Sequence, residues 1–228
     1  MPPRARLNSG ISLQETIMRS LCLALFLCLA AASASAQARE PIVGLPCEGC
    51  DAVFDGLPDQ FGSRARIAPL PESGQPMLVT GRVLDQGGKP RSGIIVYAYQ
   101  TNSDGVYPEP SGARVSHRHG ALRAWAQSDA KGRYAFDTIR PGSYPSRDTP
   151  QHIHMHVLER GCSSYYIDDI MFLDDPLLTR AEVASRPKRG GAGIGTPLRH
   201  KGVWHITRDI HLGQNIPGYQ SCRSGREA

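Results

Sequence analysis

Residues 78–90 have the sequence Leu78-Val79-Thr80-Gly81-Arg82-Val83-Leu84-Asp85-Gln86-Gly87-Gly88-Lys89-Pro90, and this stretch decides the fold class. Its first eight residues have the two-residue period of a β-strand, and its last five are turn-forming residues. A second strand is predicted at residues 93–100, and the sequence Asn102-Ser103-Asp104-Gly105 is predicted to turn the chain again. This part of the chain therefore predicts short strands joined by tight turns.

The same pattern continues towards the C-terminus. Further strands are predicted at residues 124–127, 133–138, 152–158, 167–172 and 203–212, and the only plausible helical turn lies at residues 175–184. The 24 glycines and 18 prolines fit a chain that turns often. We predict an all-β fold with an antiparallel β-sandwich core, long irregular loops and little helix.

The 228 residues are enough for one well-filled core. We place the β-sandwich domain at residues 76–222, and before it an irregular N-terminal segment at residues 37–75 that packs on the outside. Residues 1–36 are predicted to be a signal peptide, because Arg19 precedes the apolar run 21–32 and Ala34-Ser35-Ala36 offers a cleavage site.

The apolar run is too short to cross a bilayer comfortably, so an exported protein without a transmembrane segment after cleavage is expected. Because Met18 directly precedes Arg19, residues 1–17 are interpreted as an extension from a misplaced start codon. The alternative for the whole segment is a buried N-terminal helix.

The charge distribution argues against nucleic-acid binding. Cleavage after Ala36 removes three arginines and one glutamate, which leaves about +3 of the formal net charge of +5. The remaining cations are dispersed, apart from Arg186-Pro187-Lys188-Arg189, and are not interleaved with aromatic residues. We interpret that basic run as a solvated loop.

Four cysteines remain once the leader is removed, namely Cys47, Cys50, Cys162 and Cys222. An even number in an oxidising compartment predicts two disulfides, and three pairings are open. Half of a zinc site or a redox pair is the alternative for Cys47-Glu48-Gly49-Cys50, but the sequence has no second such motif.

The strongest local chemical signal is His152-Ile153-His154-Met155-His156. Alternate residues of a strand share one face about 6.6 Å apart, so His152 and His154 can converge on one metal ion, whereas His156 lies too far from His152 to join them. An ordinary polar sheet surface is the alternative.

The wider pattern resembles the intradiol ring-cleavage dioxygenases, the family of catechol and protocatechuate dioxygenases. The similarity covers roughly residues 76–219. Its landmarks are Gln100-Thr101-Asn102-Ser103-Asp104-Gly105-Val106-Tyr107, residues 128–145, Pro150-Gln151-His152-Ile153-His154, residues 172–177 and residues 202–219.

The resemblance implies a ferric ion held by Tyr107, Tyr144, His152 and His154, since a hard trivalent cation favours anionic oxygen donors alongside imidazoles. It also implies that a catechol binding the iron displaces Tyr144, which accepts a substrate proton. The other tyrosines are interpreted as core residues with satisfied hydroxyls; they include Tyr97, Tyr99, Tyr134, Tyr165 and Tyr166.

Two candidate catalytic positions depart from the family pattern. Thr149 stands where well-studied members have arginine, and Asp169 stands where they have glutamine, so the electrostatic field of the pocket is altered. Arg147 could supply the missing cation or be solvated. His117 and His119 could gate the site or bind a substrate carboxylate, with an exposed polar loop as the alternative.

Three hypotheses follow. The first is an exported Fe(III)-dependent dioxygenase that inserts both atoms of O2 into a catechol to give a muconate-type diacid. The second is a metal-binding sandwich of the same family without ring cleavage, and the third is a surface or carbohydrate-binding module without metal. The expected partners are a small catechol and dioxygen, with no nucleic acid and with a homo-oligomer left open.

Overall fold

The computed structural model describes residues 39–47, 49–110, 119–146 and 148–222, and these residues form two packed β-sheets. The elements in chain order are a short 3₁₀ helix (Cys50–Phe54), β1 (Arg64–Arg66), β2 (Pro76–Leu84), β3 (Ile95–Tyr99), β4 (Arg123–Gln127), β5 (Arg133–Ile139), β6 (His152–Glu159), β7 (Ser163–Phe172), α1 (Arg180–Ser185), β8 (Ile194–Gly195), β9 (Leu198–His200), β10 (Val203–Thr207) and β11 (Ile210–His211).

The first sheet has the order β1-β5-β2-β10-β9 with β11 also paired to β2, and the second has the order β4-β3-β6-β7-β8. The β-sandwich prediction is therefore confirmed. The sheets are mixed, however, because β1 runs parallel to β5, β10 and β11 run parallel to β2, and β8 runs parallel to β7. The central pairs β2/β5, β3/β4, β3/β6 and β6/β7 are antiparallel, as expected.

The second sheet is buried on both faces. Alternate residues of β3 divide between two apolar clusters: Val96 and Ala98 face the main core between the sheets, whereas Tyr97 and Tyr99 face a smaller cluster with Val53. This division follows from the two-residue period of a strand. The smaller cluster, on the outer face of the second sheet, lies beside the candidate site.

The N-terminal segment contains two short regular elements, the 3₁₀ helix and β1. The side chains of Val53 and Ile67 in this segment are buried. The indole of Trp125 in β4 donates to the carbonyl of Val53 at 2.8 Å, which ties the segment to the sheet. The segment covers apolar surface that the second sheet would otherwise expose to water.

The helix is shorter than the predicted turn. It begins at Arg180 because Thr179 and Glu182 form a capping box, in which each side chain accepts from the backbone N–H of the other. The described cysteines form the pairs Cys47–Cys50 and Cys162–Cys222. Among the described residues, no helix has the length and apolar character needed to cross a membrane.

Candidate metal centre

Two of the four candidate ligands come from the start of β6. The pairing of β6 with β7 shifts register between Ile153 and Met155, so a bulge occurs at His154. His152 and His154 project to the same side, with their Nε2 atoms 3.1 Å apart. The sequence expectation that these two imidazoles share a face therefore agrees with the geometry.

The other two candidates come from separate loops that are held against each other. The N–H of Gly142 donates to the carbonyl of Asn102 at 2.8 Å, and the hydroxyl of Thr101 donates to the carbonyl of Gly142 at 2.9 Å. Gly105, with φ of 79°, leaves no room for a side chain because a Cβ there would overlap the backbone of Ser143. This close approach brings Tyr107 next to Tyr144.

The four donor atoms form a closed ring. Tyr107 Oη lies 2.9 Å from Tyr144 Oη, Tyr144 Oη lies 3.2 Å from His152 Nε2, and His154 Nε2 lies 2.9 Å from Tyr107 Oη. With the 3.1 Å between the two Nε2 atoms, all four edges fall between 2.9 and 3.2 Å. The structure thus brings together the four residues that the sequence pattern singled out.

The protonation of the two histidines makes this ring unusual. His152 Nδ1 lies 2.7 Å from the carbonyl oxygen of Pro150, and His154 Nδ1 lies 3.0 Å from Asp169 Oδ1. Both partners only accept hydrogen bonds, so each Nδ1 bears the proton and each Nε2 presents a lone pair. Two lone pairs therefore face each other across 3.1 Å, an arrangement that a cation between them would stabilise.

The donor set fits a metal ion of ordinary size. Donors that lie about 2 Å from a common ion are separated by about 2.8 Å at right angles and by about 3.3 Å at the tetrahedral angle. The observed edges fall within that interval. Hydrogen bonds from the distal ring nitrogen to a carboxylate or a carbonyl are also the usual support for metal-binding histidines.

Burial favours the neutral forms of Tyr107 and His152 in the protein without a cation. It raises the pKa of Tyr107 far above its ordinary value, and the hydrogen bond with Tyr144 adds to this effect. It lowers the pKa of His152, assisted by the neighbouring His154. A bound cation would reverse the effect on the tyrosines by stabilising their phenolates.

Asp169 supports the ring from behind. Its Oδ1 accepts from His154 Nδ1 and, at 2.6 Å, from the hydroxyl of Tyr166. Burial opposes ionisation of this carboxyl, but the nearby His154 outweighs it, together with His152 and the Tyr166 hydrogen bond, and lowers the pKa of Asp169 to about 2. Asp169 therefore orients His154, a placement that the sequence comparison with a family glutamine did not anticipate.

Thr149 is placed differently from the other candidates. Its hydroxyl donates to Asp148 Oδ1 at 3.1 Å, and its side chain is not part of the cavity wall beside the ring. Arg147 and His117, which the sequence suggested as further contributors, lie outside the described residues.

A cavity of about 390 Å³ opens beside the ring, which is a suitable size for a small aromatic molecule. Tyr107, Tyr144 and His154 of the ring line this cavity. The remaining wall is formed by Leu45, Pro46, Cys47, Tyr99, His119, Tyr166 and Arg189.

His119 corrects the expectation of an exposed polar loop. Its side chain is only 1% exposed, its ring stacks on Tyr99 with centroids 3.7 Å apart, and its Nδ1 lies 2.9 Å from the hydroxyl of Tyr97. His156, by contrast, lies outside the ring as expected, and its imidazole packs edge-on against Tyr97 and Tyr166. Burial lowers the pKa of His156 to about 3, with His119 adding to the effect.

Besides Leu45, Pro46 and Cys47 of the N-terminal segment, three residues of the cavity wall were not predicted from the sequence. Tyr99 and Tyr166 were assigned to the core, and Arg189 to a solvated loop. A signal for Tyr99 existed, because it lies directly opposite His154 when β3 and β6 are paired antiparallel. The position of Arg189 depends on how a distant loop packs, and no local pattern indicates it.

Comparison with known proteins agrees with this architecture. The family described as Dioxygenase matches residues 63–193. The protocatechuate 3,4-dioxygenase β chain of Burkholderia cepacia is 37% identical over 116 residues, which cover 46% of this chain and 48% of the relative. The chain spans about half the length of the curated relatives it matches.

Two solved structures share the fold. The dioxygenase domain of a dioxygenase carbohydrate-binding protein fusion from Streptomyces sp. SirexAA-E superposes with a TM-score of 0.52 and 20% identity, covering 68% of this chain and 91% of that one. The mercury-inhibited catechol 1,2-dioxygenase from Acinetobacter sp. ADP1 has a TM-score of 0.52 and 18% identity, covering 91% and 73%. Because the family match extends over more than half of the chain, the protein belongs to the intradiol ring-cleavage dioxygenase family.

Proposed function

We propose that the protein is an Fe(III)-dependent intradiol dioxygenase that inserts both atoms of O2 into a catechol and releases a muconate-type diacid. The observation that supports this most is the ring of two phenols and two imidazoles, in which two Nε2 lone pairs face each other. Phenolate oxygens with imidazoles are donors suited to ferric iron. Iron bound there would supply a Lewis acid that activates the catechol towards dioxygen.

Tyr144 is the tyrosine with space to leave the ring. Besides the cavity beside the ring, it borders a second cavity of about 660 Å³, which is also lined by Pro145, Gln151 and Leu177. Tyr107 instead packs against the apolar cluster of Val53, Tyr97 and Tyr99. Tyr144 can therefore swing away when a catechol arrives and accept a proton from it on its phenol oxygen, whereas Tyr107 stays in place.

The two histidines have a fixed role in this proposal. His152 is held by the carbonyl of Pro150 and His154 by Asp169, so both keep their Nε2 lone pairs directed at the same point. The aromatic walls, Tyr99 and Tyr166, exclude water and offer flat surfaces to a substrate ring.

The test uses protein loaded with Fe(III). Tyrosinate bound to ferric iron gives a visible charge-transfer absorption, and turnover should consume one O2 for each catechol, with both atoms of ¹⁸O2 found in the diacid. Tyr144→Phe should weaken the absorption and abolish turnover, whereas Tyr134→Phe, which alters a tyrosine buried in the main core, should preserve both. A coloured protein that cleaves no catechol would support the non-catalytic metal-binding alternative, and a colourless one would overturn the ferric site.

Export remains part of the proposal. The expected leader lies outside the described residues, and the two cysteine pairings support an oxidising compartment.

A further inference from the structure

The wall of the cavity beside the ring contains one guanidinium, that of Arg189, among the residues the structure describes. Its side chain is 15% exposed, and its Nε donates to Asp168 Oδ1 at 2.9 Å. The guanidinium carbon lies 4.9 Å from the centroid of the Tyr166 ring, close enough for a cation–π contact. A positive charge is thus built into the wall of a pocket that otherwise consists of aromatic and apolar groups.

The backbone holds this arginine in place. The N–H of Asp168 donates to the carbonyl of Arg189 at 3.0 Å, and the buried guanidinium of Arg208 donates to the same carbonyl at 3.2 Å. The next residue, Gly190, has φ of 65° and lies so close to Ile167 that a side chain there would overlap it. The loop is therefore fixed against β7, and little conformational freedom is lost when Arg189 binds a ligand.

Part of the guanidinium remains available. Asp168 engages only Nε, and within the described part of the chain the two terminal nitrogens have no hydrogen-bonding partner. Asp168 is only 3% exposed, and its second oxygen has no partner there either, so the pair is held by a single hydrogen bond. Two terminal N–H groups on one side of a planar guanidinium match the geometry of a carboxylate.

The position of Arg189 in the cavity wall determines which part of a bound catechol it can contact. The Tyr166 ring neighbours both Arg189 and His154, since its centroid lies 4.9 Å from the Arg189 guanidinium carbon and 6.5 Å from the His154 centroid. Arg189 and His154 line the same cavity, but no hydrogen bond joins Arg189 to the four donors of the ring among the described residues. A catechol whose two oxygens are held at the ring would turn its other substituents towards the rest of this wall, where Arg189 is the one guanidinium that the structure describes.

We propose that Arg189 selects catechols that bear an anionic substituent, and that its terminal nitrogens bind a carboxylate opposite the two hydroxyls. The inference rests on the proposed function, because the hydroxyls must be anchored at the centre. For Arg189 alone, it also replaces the interpretation of the 186–189 run as a solvated loop, since Lys188 is exposed. Thr149, the position where the family has arginine, bonds to Asp148 and does not line the cavity, whereas Arg189 does.

The experiment measures binding to the ferric protein without oxygen, followed by the change in its visible absorption. The ligands are 3,4-dihydroxybenzoate, which bears a carboxylate, and 4-methylcatechol, which is neutral. Arg189→Gln should weaken binding of 3,4-dihydroxybenzoate by about tenfold or more, the usual effect of losing a charge-assisted hydrogen bond, and should change binding of 4-methylcatechol by less than about twofold.

Matched variants separate this role from a general effect of charge or folding. Lys188→Gln removes one charge from the same loop at an exposed residue outside the cavity wall and should leave both affinities unchanged. Asp168→Asn removes the neutralising carboxylate and should bind 3,4-dihydroxybenzoate at least as tightly as the wild type. Since Arg189→Gln leaves a buried carboxylate unpaired, the double variant Asp168→Asn/Arg189→Gln provides the same test without that cost.

The outcomes distinguish this inference from the proposed function. Equal weakening of both ligands, or no change for 3,4-dihydroxybenzoate in either arginine variant, would overturn the selectivity of Arg189. Selective weakening supports it, even if the wild type binds both catechols and cleaves neither, a result that would count against the proposed function alone.

Discussion

Strand β6 joins two clusters of potential metal ligands that differ in how their lone pairs are used. At its start, the Nε2 atoms of His152 and His154 and the hydroxyls of the two tyrosines form the ring of four donor atoms. At its end, Glu159 lies beside Cys162 and Cys222, and these three groups are also close enough to hold an ion. The cysteines are joined in a disulfide, however, and Glu159 Oε1 accepts from the hydroxyl of Tyr165 at 2.8 Å.

The difference shows that proximity of ligand groups does not by itself indicate a metal centre. A disulfide sulfur is a poor ligand compared with a thiolate, and the carboxylate of Glu159 has a proton donor of its own. The two imidazoles at the other end have their protons on the far side, so their Nε2 lone pairs face each other and the hydroxyls of Tyr144 and Tyr107, groups that a cation would convert into four converging donors. We therefore propose a cation site at the start of β6 and a structural anchor at its end.

The prediction with the largest expected effect removes one donor from the cluster at the start of β6. His154→Gln removes one donor and should lower the affinity for iron by at least about 100-fold, more than the loss of a supporting residue usually costs. The matched control is His156→Gln, two residues further along the same face, where the imidazole packs against Tyr97 and Tyr166 outside the ring. Competition with a chelator, followed by the visible absorption, measures both. Equal loss of iron in the two variants would contradict the assignment of His154 to the centre.

The same strand shows how far sequence reasoning reaches. His152 and His154 could be paired from the two-residue period alone, because the signal is local. Tyr107 and Tyr144 could not, since they lie in loops 37 residues apart and only the resemblance to a family connected them. Their meeting depends on the contact of Gly105 with the backbone of Ser143, which no local pattern encodes.

The strands themselves were largely predictable, and the pairings were not. The predicted strand at 133–138 corresponds to β5, whereas the predicted strand at 203–212 is divided into β10 and β11, which both run parallel to β2. Parallel pairing joins segments that are distant in sequence, so it depends on how long connections cross the sandwich. Arg189 was misplaced for a similar reason, because its position follows from the packing of Gly190 against Ile167.

The second prediction tests the structural cluster. The double variant Cys162→Ser/Cys222→Ser opens a bridge between residues 60 positions apart and should lower the free energy of unfolding by about 4 kcal/mol. Its iron affinity should match that of the wild type, because the bridge lies at the opposite end of β6. Urea denaturation and the chelator competition measure the two quantities.

The Cys47→Ser/Cys50→Ser variant is a useful comparison for the bridge. It opens a pair only three positions apart, so its effect on the unfolding free energy should be smaller. If loss of the Cys162–Cys222 bridge lowered the iron affinity as well as the free energy of unfolding, the two ends of β6 would not be independent.

The smallest expected effect concerns the pH dependence that Glu159 confers. Burial raises the pKa of this carboxyl, although the hydrogen bonds from Tyr165 and Tyr219 and the charge of Arg91 oppose the rise. The folded protein therefore retains the proton to a higher pH than the unfolded chain does. The stability associated with Glu159 is fully present below its unfolded pKa and is lost as pH rises through its folded pKa. Glu159→Gln removes this titration, so the stability of the wild type relative to the variant should fall with rising pH, by no more than about 1.4 kcal/mol per pH unit.

Urea denaturation of both proteins across the acidic to neutral range measures this difference. The Tyr165→Phe variant provides a second test of its cause. Removing that hydroxyl takes away a hydrogen bond that favours the carboxylate, so the pKa of Glu159 should rise further and the loss of stability should extend to higher pH. A difference between wild type and Glu159→Gln that stayed constant with pH would mean that Glu159 is ionised in the folded protein as easily as in water, and one that grew in favour of the wild type towards neutrality would mean that it is ionised more easily. The hydrogen bonds from Tyr165 and Tyr219 and the charge of Arg91 would then match or outweigh the effect of burial, and the pH dependence expected for the end of β6 would be wrong.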